Sequence, residues 1–432
     1  MRVKLHEGDS YIVLRQMIER GETVHSCVCD PPYGLTSVVK RFGKDGSAPA
    51  KPGRDGAFAR QSRGFMGKVW DGSAIERDPE FWKLVFDVML PGAYIVAFSS
   101  SRTYHHMAVA MELAGFITHP MIGWTFASGF PKAHNAARAI DQALGFDGGK
   151  EASGNTVRRI RPGADQHKDG TWGKLDNREY QPGRYIPESD EASAWEGWHY
   201  GGQARKPALE PIYVGQKPFS EKNGAQNILK HGVGAVNIDG CRVLSEGSNP
   251  GRWPANLIHD GSAEVLALFP ESKGQLANAS TRQERRATQN VYGAMKSSGT
   301  GLARGDEGSA ARFFECYPFE DTPIFYCQKA NRRDRADSKH PTVKPIALMR
   351  ALIRHVTPLN GTVLDPFAGS GTTGQAALEE GMRGVLIENE PEYARDIRRR
   401  LGLIQEGKFS HLLADPTPVY STNSRSYDWL LA

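Results

Sequence analysis

The stretch from Thr362 to Glu388 restricts the fold of this 432-residue chain more than any other. Thr362–Leu364 reads as a strand, DPFAGSGTTG (Asp365–Gly374) as a turn, Thr372–Glu380 as a helix, and Gly384–Ile387 as a second strand ending at Glu388. Glycines let such a turn close tightly and let a ligand approach the backbone. A carboxylate 19 residues after Gly369 can accept hydrogen bonds from both hydroxyls of a ribose. The unit therefore predicts a site for an adenosine-containing ligand. A dinucleotide fold opens with this unit and runs on through further strands, but here only about 40 residues follow Glu388. The partner strands must come from earlier in the chain, so the sheet is permuted. On the GxGxxG pattern alone NAD is a rival. Asp365 and Phe367 ahead of the glycines suit an amino group and an adenine better than a pyrophosphate. No Lys follows the last glycine, which excludes a Walker A loop.

The other half of the sheet is sought near the start. A short strand, a helix near Tyr11–Glu19 and an apolar strand, Val24–Cys29, lead into DPPYG (Asp30–Gly34). Two prolines make this turn stiff. Ligands of open α/β sheets sit just beyond the carboxyl ends of the strands. A carboxylate, a backbone carbonyl and an aromatic face held there suit a flat, amine-bearing ring. The alternation continues with FWKLVFDVML as a helix, a turn at Pro91-Gly92 and a buried strand at Ala93–Ser99. A helix over Arg102–Gly115, a strand over Phe116–Phe126 and a further strand at Pro211–Gln216 follow. Val343–Val356 and Pro391–Leu401 read as helices and Phe325–Gln328 as a strand.

Between these segments the pattern lapses. Residues 35–64 are rich in Gly, Lys and Arg and read equally as a lid over the site or as a solvated insertion, closed by FMGKVWD (Phe65–Asp71). Residues 132–194 read as a long, partly disordered insertion, and order is expected to resume at Trp195–Trp198. Trp195 and Trp198 are expected as core anchors, and His105-His106 as structural or surface residues. Residues 218–260 form a mixed region with a turn at Gly251–Asn256. Residues 271–312 carry Arg282, Arg285, Arg286, Lys296, Arg304 and Arg312, which suit a solvated face and a nucleic-acid contact equally. The basic loop NRRDR follows at Asn331–Arg335, and the tail after Gly407 is polar. A net charge of +5 permits a polyanionic partner without requiring one. Five cysteines without CxxC spacing (Cys27, Cys29, Cys241, Cys316 and Cys327) suggest buried, reduced thiols. The N-terminus lacks the apolar core of a secretory signal, and no apolar run is long enough to span a bilayer. A cytoplasmic protein is the expectation.

Together, DPPY and FAGSGTT resemble the exocyclic-amino DNA methyltransferases that use S-adenosylmethionine, in the motif order of their β class. Gly8-Asp9-Ser10 resembles the segment whose acid contacts the adenine end of the cofactor. HPTVKP (His340–Pro345) resembles the segment whose Thr342 and Lys344 help bind the methionine end. Glu388 matches the ribose-binding acid, and AYIVAFSSSRTYHHM matches the segment that backs the active site. The resemblance covers about residues 1–130, 195–217 and 321–405. It implies an α/β fold: a Rossmann-like methyltransferase sheet with helices on both faces, circularly permuted motif order and an inserted target-recognition region. The implied division is 1–131 for the catalytic half, 132–194 for a loop-rich insertion and 195–217 for a core strand. Residues 218–320 are left for target recognition, to which the insertion at 132–194 could contribute, 321–405 for the cofactor half and 406–432 for a tail.

The resemblance also implies a mechanism without metal or covalent enzyme intermediate. Asp30 and Pro31 would accept the hydrogens of a flipped-out base's amine, with Pro32 stiffening the turn and Tyr33 stacking on the ring. Asp9, Ser10, Thr342, Lys344, Asp365, Phe367, Gly369, Ser370, Gly371, Thr372 and Glu388 would hold S-adenosylmethionine. Double-stranded DNA is the implied partner. A homodimer and a partner restriction endonuclease are both compatible. In the family an Asp at the first place of DPPY accompanies N6 of adenine more often than N4 of cytosine. The competing readings are an N4-cytosine enzyme, an RNA amino-methyltransferase and a catalytically silent DNA-binding relative.

Overall fold

A computed structural model describes residues 2–33, 74–127, 129, 131–152, 154, 157–158, 164–166, 172–174, 179–180, 183–243, 251–272, 288–290, 293–295, 308–317, 334, 336, 338, 340 and 343–405. Residues 35–71, the strand expected at Phe325–Gln328, most of NRRDR, Cys327 and the tail lie outside them. So do Arg282, Arg285, Arg286, Lys296 and Arg304.

The chain opens with β1 (Val3–Glu7), α1 (Ser10–Glu19) and β2 (Val24–Cys29), followed by α2 (Pro79–Val88), β3 (Met89–Phe98), α3 (Tyr104–Leu113) and β4 (Ile117–Thr125). A peripheral module contains β5 (Lys132–Asn135), α4 (Ala136–Leu144), β6 (Gly149–Ala152), β7 (Gly183–Ile186) and β8 (His199–Gln203). The chain returns through β9 (Leu209–Gln216), α5 (Gly224–His231), β10 (Leu257–His259) and β11 (Glu315–Cys316). It closes with α6 (Ile346–Val356), β12 (Thr362–Asp365), α7 (Thr372–Glu379), β13 (Arg383–Glu388) and α8 (Pro391–Gln405).

Nine of these strands make one sheet in the order β1-β13-β12-β2-β3-β9-β4-β10-β11. Only β9 runs antiparallel to its neighbours. Strands β12 and β13, the last among the described residues, thus stand between β1 and β2, which is the permuted order expected. From β2 the chain continues toward β3, and from β12 it continues toward β13, the opposite way. The switch point of the sheet therefore lies between β2 and β12, where ligands of open α/β sheets bind.

Alternation along each strand splits the core between the two faces. Cys27 and Cys29 join Leu14, Met17, Phe81, Trp82 and Met107 under α1, α2 and α3. Val28, Val96 and Phe98 point the other way, toward Leu348, Leu352, Ile353 and Ala376 of α6 and α7.

Three expectations change. Met89 and Leu90 are strand, because Met89 pairs with Val24; Pro91-Gly92 forms an irregularity inside β3 instead of a turn before it. Gly92 has φ 86°, and a Cβ there would meet Asn227 Nδ2 at 2.4 Å, the same atom that donates to Pro91 O at 2.8 Å. Trp195 and Trp198 are not core anchors: they are 48% and 61% exposed. Nor is every thiol buried, since Cys316 is exposed on the edge strand β11.

The module between β4 and β9 is tied together by polar contacts around α4. Asn135 caps α4 by accepting from Arg138 N, and Gly145 closes it in the left-handed region. The buried Asp141 carboxylate of α4 accepts from Tyr185 OH (2.8 Å), Glu188 N (2.9 Å), Ser189 N (3.0 Å) and Ser189 Oγ (2.6 Å). Burial alone would raise its pKa, but these donors outweigh that and hold it at about 2. Its contribution is full above the ordinary carboxylate range and fades as pH falls toward 2. In Asp141→Ala, hydrogen exchange at the Glu188 and Ser189 amides is expected to rise by about tenfold or more, with the central strands unaffected. Unchanged protection at those amides would contradict this lock.

Candidate active site

At the carboxyl end of β2, Asp30, Pro31, Pro32 and Tyr33 form an extended turn that runs along the switch point. Tyr33 OH lies in hydrogen-bonding contact with both Asp30 Oδ1, at 2.9 Å, and Glu210 Oε1. Lys344 Nζ donates to Asp30 Oδ2 and to Tyr33 OH (3.2 Å) and sits 3.6 Å from Glu210 Oε1. Its ammonium also lies over the Phe98 ring, 4.6 Å from the centroid. Thr103 Oγ1 fastens the turn by donating to Tyr33 O at 3.0 Å. Lys344 and Glu210 side chains are 5% and 4% exposed, whereas Asp30 is 19% exposed and is the open face of the cluster.

The cluster places two carboxylates and one ammonium out of water. Burial, reinforced by the Glu210 charge, pushes the Asp30 carboxyl above its ordinary range, while Lys344 and Tyr33 pull the other way. Burial opposes the charge on Lys344, but Asp30 and Glu210 outweigh it and hold the ammonium above the usual lysine range. Burial and both carboxylates keep the Tyr33 phenol neutral. Asp30 retains unused lone pairs on both oxygens.

Lys344 reaches this point because its segment is strapped across α8. Asp334 Oδ1 accepts from Ile346 N at the start of α6 (3.3 Å), and the buried Arg400 guanidinium donates to Asp334 O (2.7 Å) and to Gln375 Oε1 (2.8 Å). Ser338 Oγ donates to Asp396 Oδ2 (2.8 Å), and the His340 ring packs edge-on against Tyr393. Thr342 lies outside the described residues.

On the β12 side, Asp365 accepts from Phe367 N (3.0 Å) and from Thr373 Oγ1. Glu388 accepts from Gly369 N (2.7 Å) through Oε2 and from Glu390 N (2.8 Å) through Oε1. Burial pushes each carboxyl up to about 7. Ser10 Oγ donates to Pro366 O at 2.6 Å, which joins the start of α1 to the loop after β12. Asp9 is exposed and caps α1, accepting from Tyr11 N (2.9 Å) and Ile12 N. Phe367 packs on Phe81, ring centroids 5.1 Å apart. Ser370 and Thr372 are buried where α7 begins.

Two of the glycines have distinct tasks. Gly369 (φ 52°) faces the His340 ring, which a Cβ would meet at 3.0 Å. Gly371 (φ 80°) instead lets α8 approach, since a Cβ there would meet Ile397.

The structure thus brings Asp30, Tyr33 and Lys344 together, and it gathers Ser10, Asp365, Phe367, Gly369 and Glu388 beside them. Glu210 is the residue the sequence reading missed. Its signal was a lone acid at the head of an otherwise apolar strand, LEPIYVGQ, buried at 3% exposure. Thr373, which secures Asp365, carried no separate signal.

Similarity to known proteins bears on this arrangement. The type II methyltransferase M2.DpnII of Streptococcus pneumoniae is 46% identical over 63 residues, 15% of this chain and 24% of that protein. The DNA adenine methyltransferase YhdJ of Escherichia coli K12 is 45% identical over 62 residues, 14% of this chain and 21% of that protein. The chain spans about a quarter of the length of the curated relatives it matches. Among solved structures, the M1.HpyAVI–SAM complex has a TM-score of 0.38 at 15% identity, covering 93% of this chain and all of that one. The cytosine-N4-specific PvuII DNA methyltransferase has a TM-score of 0.38 at 13% identity, covering 96% of this chain and 92% of that one. The model of the N6/N4 DNA methylase family matches residues 24–399, most of the chain and both halves of the site. The chain belongs to the N6/N4 DNA methylase family.

Proposed function

We propose that this chain transfers a methyl group from S-adenosylmethionine to the exocyclic amine of a flipped-out base in duplex DNA, and that the base is adenine, modified at N6. The observation that carries the reading is the buried Asp30–Tyr33–Glu210–Lys344 cluster opening, through Asp30, onto the same switch point as Asp365 and Glu388. The preference for adenine rests on the Asp in the first place of DPPY, and YhdJ, named an adenine methyltransferase, is similar over part of the chain. The family joins N6 and N4 enzymes, which keeps N4-cytosine as the second reading.

The donor set fits the proposed cofactor. Each Glu388 oxygen accepts one backbone N–H and has capacity left for a ribose hydroxyl. Buried carboxylates suit a ligand that carries positive charge. When bound, S-adenosylmethionine supplies an electrophilic methyl group. The protein's own task is to make a poor nucleophile competent. An amine conjugated to a base ring delocalises its lone pair. With Asp30 and the Pro31 carbonyl each accepting one amine hydrogen, the nitrogen pyramidalises and the lone pair localises. Lys344 and Tyr33 hold the carboxylate that does this, and the anchored phenol fixes the ring plane on which the base stacks. The upward-shifted Asp30 carboxyl is also placed to hold the surplus proton that the amine releases.

The direct test is product identity. The protein is incubated with unmethylated duplex DNA and methyl-labelled S-adenosylmethionine, and the DNA is digested to nucleosides. Labelled N6-methyldeoxyadenosine is expected. N4-methyldeoxycytidine would overturn the base assignment alone, and no labelled nucleoside would overturn the activity.

Cofactor affinity should also depend on pH. Asp365 and Glu388 each titrate near 7, and protonation removes acceptor capacity and charge. The dissociation constant for S-adenosylmethionine is expected to rise as pH falls below 7, by about tenfold per unit for each carboxyl that binding requires ionised. Calorimetric titration between pH 5.5 and 8 checks this, and a flat profile would exclude both groups as ionised ligands.

A further inference from the structure

The strand pair β5–β8 grows from the edge of the sheet that holds the active site. Thr125, the last residue of β4, pairs with Leu209, and the next residue, Glu210, touches Tyr33. Only residues 126–131 and 204–208 separate the ribbon from this edge. Even fully extended, such links place the base of the ribbon within about 25 Å of it, some seven base-pair steps of B-DNA.

The ribbon presents rings and cations together. Trp198 and Tyr200 are 61% and 53% exposed, and Trp195 stacks edge-on against Trp198 at 5.4 Å. His134 faces Tyr200 across the strands, with centroids 5.5 Å apart. The backbone under Trp198 is held: its O accepts from Ala136 N at 2.9 Å, at the start of the capped helix α4. Arg138, in the first turn of α4, and Arg205 and Lys206, just after β8, are exposed. No acid occurs in residues 131–140 or 197–209. Exposed rings flanked by exposed cations suit the sugar–phosphate backbone of a duplex, the rings packing on sugars while the cations neutralise phosphates; the acid between the two tryptophans, Glu196, is paired with Arg184.

We propose that the β5–β8 ribbon is a contact surface for duplex DNA beside the base held at Asp30. The proposal rests on the function given above. It places part of the DNA-binding surface in the module of residues 132–203, ahead of the stretch 218–320 to which target recognition was assigned by resemblance.

The test uses the full chain and a fluorescent, unmethylated duplex of mixed sequence, titrated by anisotropy over a range of salt. Trp198→Ala/Tyr200→Ala is expected to weaken DNA binding by about tenfold or more, while Trp198→Phe/Tyr200→Phe stays near the parent. Arg205→Ala/Lys206→Ala is expected to reduce the slope of log affinity against log salt by about 2. Affinity for S-adenosylmethionine should stay unchanged in all of these variants. If the parent methylates the duplex but the variants keep its affinity and salt slope, the ribbon is not a DNA contact and the activity stands. A parent that neither binds nor methylates duplex DNA would instead defeat the functional reading, and this proposal with it. Ring-deleted variants that lose self-association at unchanged DNA affinity would assign the surface to a second copy of the chain and overturn the proposal.

Discussion

Replacement of Asp30 by alanine is expected to lower methyl transfer at saturating cofactor and DNA by at least about a hundredfold to a thousandfold. That is the scale on which removing one preorganised partner of a developing charge slows an enzyme. The fold should survive. Lys344 keeps a carboxylate within reach, since Glu210 Oε1 lies 3.6 Å from its ammonium. Asp30 is also a costly residue to bury, as its raised carboxyl pKa records. Its removal is therefore expected to leave stability unchanged or to raise it, the sign that marks a functional and not a structural carboxylate. Affinity for S-adenosylmethionine should remain within about threefold, because Asp365 and Glu388 belong to the neighbouring strands β12 and β13. Single-turnover transfer, thermal unfolding and cofactor titration on the same preparation separate these effects. An inactive variant that has also lost its folding transition would refute the assignment, and so would an active one.

Replacement of Lys344 by methionine should have the opposite profile. It strands two carboxylates that share one buried cation, and breaking a buried pair from one side typically costs about 3–5 kcal/mol. Adding Glu210→Gln should recover part of that loss, and a double-mutant cycle in urea gives the coupling. The pH dependence follows in sign. Without the ammonium, and with Glu210 still beside it, the folded-state pKa of Asp30 rises further above its unfolded value. The folded state then binds more protons than the unfolded one, so stability falls as pH rises from about 4 through that raised value. Lys344 itself contributes steadily across this range, because its own pKa is raised in the fold and its charge is lost only at alkaline pH. A variant with parental stability from pH 5 to 8 would show that the cluster does not depend on the cation.

Much of the fold was legible from local pattern. Val24–Cys29 before DPPY and Thr362–Glu388 each announce a strand-to-loop transition, because apolar runs, stiff prolines and glycines act over a few residues. The permuted order followed from DPPY standing ahead of FAGSGTT in the chain. Legibility failed where a distant partner overrode local preference. Met89–Leu90 continues the helical pattern of α2 but is drawn into strand by Val24. Helix α4 is secured by Asp141 and residues 44 to 48 positions away, which no hydrophobic period records. Trp195 and Trp198 look like core residues by type, yet they project from a module whose order depends on polar contacts.

The sequence alone therefore determined the class of sheet that its short segments build and the family to which they point, since turn stereochemistry and residue periodicity are local properties. Only the tertiary structure decided that Lys344, 314 positions from Asp30, and Glu210, 177 positions from Tyr33, complete one buried cluster. Charges so far apart in the chain meet because sheet pairing and core burial bring their segments together, and burial then makes their mutual pairing obligatory.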